Sequence, residues 1–170
     1  MSDDAPPVVI CDAGPIIHLD QLACADLLVD FPRVVVPEVV WQEVTRHRPD
    51  ALTREGVPFE RTTPSGDLSP ELDALIRLLT LHRGEQQALQ VAQGEPGCIL
   101  LTDDSAARLA AQSLRLPVHG TIGILVRAIR RQQKTRDEVI ALLRSLPVVS
   151  TLYIRQSFLE DIMREVEQSN

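Results

Sequence analysis

Aromatic residues are scarce in this chain: one Trp, one Tyr and three Phe among 170 residues, or 3%. Any core must therefore be built from Leu, Val, Ile and Ala, and the 44% hydrophobic fraction is enough for one ordinary domain. No apolar run approaches the roughly 20 residues of a membrane span. The first residues, 1–7, are acidic and proline-rich where a signal peptide would be basic. A cytoplasmic protein with no membrane association is expected, with residues 1–7 as a disordered tail.

Cysteine is also sparse. Cys11, Cys24 and Cys98 are odd in number, widely separated and lack a CxxC pair. A disulfide framework and a zinc site are thereby disfavoured, and the three read as small buried hydrophobes. His18, His47, His82 and His119 show no HxxxH pairing and read as structural or surface residues. Lysine is nearly missing: of 17 basic residues, all but Lys134 are Arg. That preference suits bidentate phosphate contacts, although a GC-rich genome would produce it too. The net charge of -7 argues against a phosphate-rich partner, unless several acids hold divalent cations that reverse the local field.

What is present is an alternation of short apolar runs and amphipathic stretches. Val8, Val9, Ile10 and Cys11 form a continuous apolar run that stops at Asp12-Ala13-Gly14-Pro15, as a doubly buried strand does at a turn. Helical spacing follows from Ile16 to Phe31. A second run at 34–36 stops at Pro37, and Val36, Val40 and Val44 predict a helix from 37 to about 47. Residues 48–70 read as irregular, with a third strand near 57–61. Ser69-Pro70 opens a helix as a cap followed by a first-turn proline. Further helices are expected from Gly84 to Gly94, from Ser105 to about Leu114, from Gly120 to Arg131, from Thr135 to Leu146, and from Ser150 onward. Strands at 98–102 and 117–119 complete the set. Apolar strands alternating with helices predict a parallel sheet covered on both faces. Residues 8–150 are expected to form the domain, and 151–170 a terminal helix packed on it.

In such a sheet, ligands bind beyond the carboxyl ends of the strands. Asp12 stands at one such end and Asp103-Asp104 at another. Each is also a natural helix cap, worth roughly 1 kcal/mol. Glu85, in a first helical turn, suits the helix dipole, and Glu43 sits at the edge of a buried stripe where most glutamates are solvated. Thr102 precedes the acid pair and either packs in its strand or reaches toward the site. Gly120 and Gly123 flank Thr121 at a helix start, whose free N–H groups suit an anion or whose turn requires glycine. Arg127, Arg130, Arg131, Lys134 and Arg136 form the one basic concentration, an RNA track or a solvated helix end. A receiver domain needs an acid pair after the first strand and a late lysine, and a haloacid-type phosphatase needs Asp-x-Asp; Asp12-Ala13-Gly14 meets neither. A glycine-rich nucleotide loop ending in Lys-Ser or Lys-Thr is missing as well.

Five segments in order are similar to the PIN-domain nucleases. They are Val-Ile-Cys-Asp-Ala-Gly-Pro-Ile (9–16), Val-Pro-Glu-Val-Val-Trp-Gln-Glu-Val (36–44), Arg-Gly-Glu-Gln-Gln-Ala-Leu (83–89), Leu-Leu-Thr-Asp-Asp (100–104) with Arg108, and His-Gly-Thr-Ile-Gly-Ile-Leu (119–125). They resemble the bacterial and archaeal branch with a late Gly-Thr-x-Gly element. The resemblance implies an α/β three-layer fold with parallel strand order 3-2-1-4-5, and metal-dependent hydrolysis of single-stranded RNA. Position by position it places catalytic acids at Asp12, Glu43, Glu85 and Asp103. Asp12, Glu85, Asp103 and Asp104 would hold Mg²⁺ or Mn²⁺. Glu85 stands where the wider family more often has Asp, and many members lack a carboxylate at Asp104. Arg108, Thr121, Arg127, Arg130 and Arg131 are the candidate substrate contacts. Many relatives are toxins silenced by a small antitoxin protein, and dimers are common among them, so the resemblance implies both an antitoxin partner and a homodimer. A catalytically inactive PIN-like module that binds RNA or protein is the competing reading.

Overall fold

The computed structural model describes residues 7–169, so the predicted tail, apart from Pro7, lies outside the described residues. Five short strands form one all-parallel sheet in the order β3-β2-β1-β4-β5, as predicted. They are β1 (Val9–Cys11), β2 (Val34–Pro37), β3 (Phe59–Thr62), β4 (Ile99–Leu101) and β5 (Val118–His119). The continuous apolar runs arise because side chains alternate between two cores. Val9, Cys11, Val34, Val36 and Leu101 face one core, while Ile10, Val35 and Leu100 face the other.

The first core is closed by α1 (Ala13–Gln21), α2 (Glu38–His47), α6 (Thr121–Arg130), α7 (Arg136–Val149) and α8 (Gln156–Gln168). The second is closed by α3 (Pro70–Leu79), α4 (Arg83–Gly94) and α5 (Ser105–Ser113). Leu159 and Val166 anchor α8 in the first core. Fully buried aliphatic side chains such as Leu19, Leu89 and Leu143 each contribute about 1.5–3 kcal/mol. Cys11, Cys24 and Cys98 are free and buried, as expected of small hydrophobes. No helix among the described residues is long and apolar enough to cross a membrane. From β1 the chain passes to β2 on one side, and β4 lies on the other. The carboxyl ends of β1 and β4 therefore flank the topological switch point where a crevice opens.

Two boundaries differ from the sequence reading. The helix predicted over 16–31 stops at Gln21, and a 3₁₀ turn, Ala25–Leu28, follows. The stop is a Schellman motif: the N–H of Cys24 donates to Leu19 O at 2.8 Å and that of Ala23 to Asp20 O at 3.0 Å. Ala23 takes the left-handed position usually given to glycine, with φ 54°. Thr80, Arg115 and Gln132 do the same after α3, α5 and α6, so four helix ends carry no glycine signal. The terminal helix begins at Gln156 rather than Ser150. Before it, Leu152 and Ile154 tuck inward while Thr151, Tyr153 and Arg155 face solvent, the two-residue period of an extended segment. Smaller shifts place β3 at Phe59–Thr62 and carry α7 to Val149, past Pro147.

Candidate active site

Asp12 directly follows β1, and its backbone N–H donates to Leu101 O at 2.9 Å, tying it to the end of β4. Its Oδ1 accepts from the N–H of Ala13 at 2.8 Å, which caps α1, and its Oδ2 accepts from Thr102 Oγ1 at 2.9 Å. Thr102 is fully buried, and its hydroxyl also accepts from the N–H of Asp104 at 3.2 Å. One hydroxyl thus links both strand ends. Burial raises the pKa of Asp12; the bonds from Ala13 and Thr102 oppose that, and the charges of Glu85 and Glu43 add to it. The result is a carboxyl pushed up to about 6.

Asp103 turns toward the start of α6. Its Oδ1 accepts from the N–H of Thr121 at 2.7 Å, and its Oδ2 accepts from Thr121 Oγ1 at 2.6 Å. His18 Nδ1 lies 2.8 Å from the same Oδ2. The anion at this helix N-terminus is therefore Asp103 itself, and Thr121, wholly buried, positions an acid rather than touching a ligand. Gly120 is required for packing: a Cβ there would stand 2.5 Å from Asp103 Oδ1.

Glu85 reaches back over the first turn of α4 and accepts from the N–H of His82 at 2.8 Å, forming a capping box. Asp104 caps α5 by accepting from the N–H of Ala107 at 2.8 Å. Gly84 lets α4 approach α2: a Cβ at that position would lie 3.5 Å from Glu43 Oε2 and 3.7 Å from Asp12 Oδ1.

The structure brings all five predicted acids, Asp12, Glu43, Glu85, Asp103 and Asp104, to the lining of one cleft of about 350 Å³. His18, His82 and residues 151–153 complete it, and no Lys or Arg lines it. His82 is pulled up from its ordinary pKa, mainly by Glu85, with Asp104 and Glu43 adding to the negative field. Among the described residues, no three His, Cys, Asp or Glu side chains converge into a ready-made metal cage. The hydrogen bonds supply the reason: Asp103 is turned to Thr121 and His18, and Glu85 to His82. The donor chemistry nevertheless fits a hard divalent ion, which takes carboxylate oxygens.

The predicted basic contacts separate. Arg108 lies near the cleft, donates to Thr102 O at 3.3 Å, and lines a second hollow of about 320 Å³ that shares Asp103 with the first. Arg127 grips Asp30 through two bonds of 3.0 Å and stacks on Phe31 at 4.1 Å; Arg131 joins Asp30 at 2.9 Å. Their charge is engaged away from the acids. Arg130 is exposed without an ion pair among the described residues. Sequence reasoning missed the positioning roles of His18 and Thr102. A lone histidine between Ile17 and Leu19 in α1 was the available signal for the first, and the hydroxyl directly before two strand-end acids for the second.

Fold and site together define an α/β protein with an acidic crevice at the carboxyl edge of a parallel sheet. The family model described as a PIN domain matches residues 8–168, and the chain belongs to that family, whose fold is of the nuclease type. A 7-methyl-GTP pyrophosphatase of Bordetella avium (strain 197N) is 30% identical over 81 residues, covering 48% of this chain and 41% of that protein. The chain thus spans less than half of that relative's length. No solved structure matches.

Proposed function

We propose that the protein is a divalent-metal-dependent endoribonuclease that hydrolyses phosphodiester bonds of single-stranded RNA. The observation that supports this most is the cleft itself: five carboxylates from four chain segments meet with no Lys or Arg between them. Acids lining one cleft with no Lys or Arg among them repel one another, and a hard cation relieves that repulsion. Asp12, Glu85, Asp103 and Asp104 would hold Mg²⁺ or Mn²⁺. A bound ion supplies positive charge for the phosphate oxygens and for the attacking water. Thr102 keeps Asp12 oriented, and Thr121 with His18 holds Asp103. Glu43, half-buried across Gly84 from Asp12, would orient the water that attacks phosphorus or bind the ion directly or through water.

The test is incubation of labelled single-stranded RNA with the protein in Mn²⁺, Mg²⁺ or EDTA, beside Asp12→Asn and Asp103→Asn. Cutting that needs the metal and both acids is expected. Cutting that survives EDTA, or that is equal in the variants, defeats the assignment. A folded wild type that binds RNA and never cuts it replaces the nuclease with a binding module.

A further inference from the structure

We infer that Tyr153 and Phe158, beside the acidic cleft, form a stacking subsite for one base of a single-stranded RNA, with Arg108 on the adjoining phosphate. The subsite rests on the RNA reading of the cleft and names how the substrate is held there.

The aromatics of this chain divide sharply. Phe31 is buried, and Trp41 and Phe59 pack partly buried against the first core. Tyr153 is 87% exposed and Phe158 50%. These two flank the same hollow of about 320 Å³, whose walls include Leu152, Ile154 and Ile122. Tyr153 is held outward by the backbone, because its neighbours Leu152 and Ile154 are drawn into the core in the extended segment before α8. The start of that segment is fixed: the N–H of Thr151 donates to Gln21 Oε1 at 3.0 Å, and the N–H of Leu152 to Ser150 Oγ at 3.2 Å.

Continuity places this hollow next to the chemistry. Asp103, Leu152 and Tyr153 line both the hollow and the acidic cleft, so a base on Tyr153 belongs to a nucleotide at the reacting phosphate. Arg108 is the one cationic Lys or Arg lining either space. Among the described residues it makes no ion pair, and its single bond, to Thr102 O, leaves guanidinium donors for a phosphate. His119, on the same wall, has its pKa lowered by partial burial and by the charges of Arg108, Arg130 and Arg127, and its ring can bond a base edge. A π-face, a cation and an apolar floor in one hollow match a nucleotide.

The experiment measures anisotropy of a short labelled oligouridine in Ca²⁺, which neutralises the acids, for wild type, Tyr153→Ala, Tyr153→Phe, Phe158→Ala and Arg108→Ala. Tyr153→Ala should weaken binding about five- to a hundred-fold, and Tyr153→Phe should restore it. An oligomer stripped of its bases should bind wild type and Tyr153→Ala alike. Wild-type affinity in both Tyr153→Ala and Phe158→Ala, or equal weakening toward the base-free backbone, overturns the subsite. Cleavage in Mn²⁺ is read in parallel. Cutting without any Tyr153 or Phe158 effect sinks the subsite and leaves the nuclease standing. Tyr153-dependent binding with no cutting does the reverse.

Discussion

Asp12 is buried and Asp30 half-buried, and their surroundings are opposite. Asp30 receives both arms of Arg127 and one of Arg131, and Arg127 is in turn stacked on Phe31. Burial raises its pKa, the two guanidinium groups lower it, and the lowering wins. Asp12 is only 8% exposed, has no cation beside it, and faces Glu85 and Glu43, so burial wins and its carboxyl is pushed up to about 6. Burial alone does not decide the sign; the partner does. Elsewhere the chain pairs its acids with arginine: Glu60 with Arg33, Glu38 with Arg61, Asp20 with Arg48 and Arg54. The cleft is where that habit stops, as a site open to an external cation would require.

Removing each charge in turn should separate the two aspartates most strongly. Asp12→Asn should lower RNA cleavage about a hundredfold or more, which is roughly 3 kcal/mol of barrier. The same change should raise the melting temperature of the metal-free protein, because it deletes a buried, repelled charge; about 1–3 kcal/mol is expected from the size of the shift. Added Mg²⁺ should stabilise wild type and not this variant. Asp30→Ala should go the other way, losing about 1–3 kcal/mol. It leaves Arg127, 16% exposed, without its carboxylate, while cleavage per folded molecule persists. A shift of both variants in the same direction would show that the arginine partners do not set the sign.

Acid titration sharpens the contrast. Between the ordinary Asp pKa of 3.8 and about 6, folded Asp12 holds more proton than the unfolded chain does. Its contribution to stability therefore falls as pH rises through that window, by up to about 3 kcal/mol. Asp30, with a lowered pKa, contributes stability that is present above the ordinary Asp pKa and lost as pH falls below it. Denaturant melts of wild type and Asp12→Asn should coincide near pH 4 and diverge by pH 6 to 7, with the variant more stable. A gap that is constant across that range would show that Asp12 does not titrate in it.

The same contrast shows what a single sequence can disclose. A parallel sheet was legible because doubly buried strands are continuous apolar runs, and Asp12, Asp103 and Asp104 stood out because they end two of those runs. The strand order, and the choice of Glu43 and Glu85 within helices, came from the family-like segments alone. The break after α1 was not legible, because Ala23 occupies a left-handed position where glycine would have announced a stop. The Asp30–Arg127 pairing spans 97 residues, and nothing local predicts it, so Arg127 and Arg131 read as part of a basic track. Tyr153 was passed over because residues 150 onward read as helix, and an aromatic in a helix gives no hint of facing the cleft.

The mildest perturbation, Arg131→Ala, discriminates between the basic helix end and Arg108. Arg131 is 39% exposed and makes the outer of the two contacts to Asp30, so its loss leaves the Arg127 fork intact. Such a half-exposed pair is worth about 0–1 kcal/mol, and the melting temperature should drop by a few degrees at most. If Asp30 is its working partner, RNA affinity at low salt should stay within twofold of wild type, while Arg108→Ala weakens it several-fold more. Arg131→Ala that binds RNA several-fold worse with unchanged stability would mean that Asp30 yields the arginine to phosphate. The end of α6 would then be part of the substrate path, and the division between a closed ion network and an open cleft would have to be redrawn.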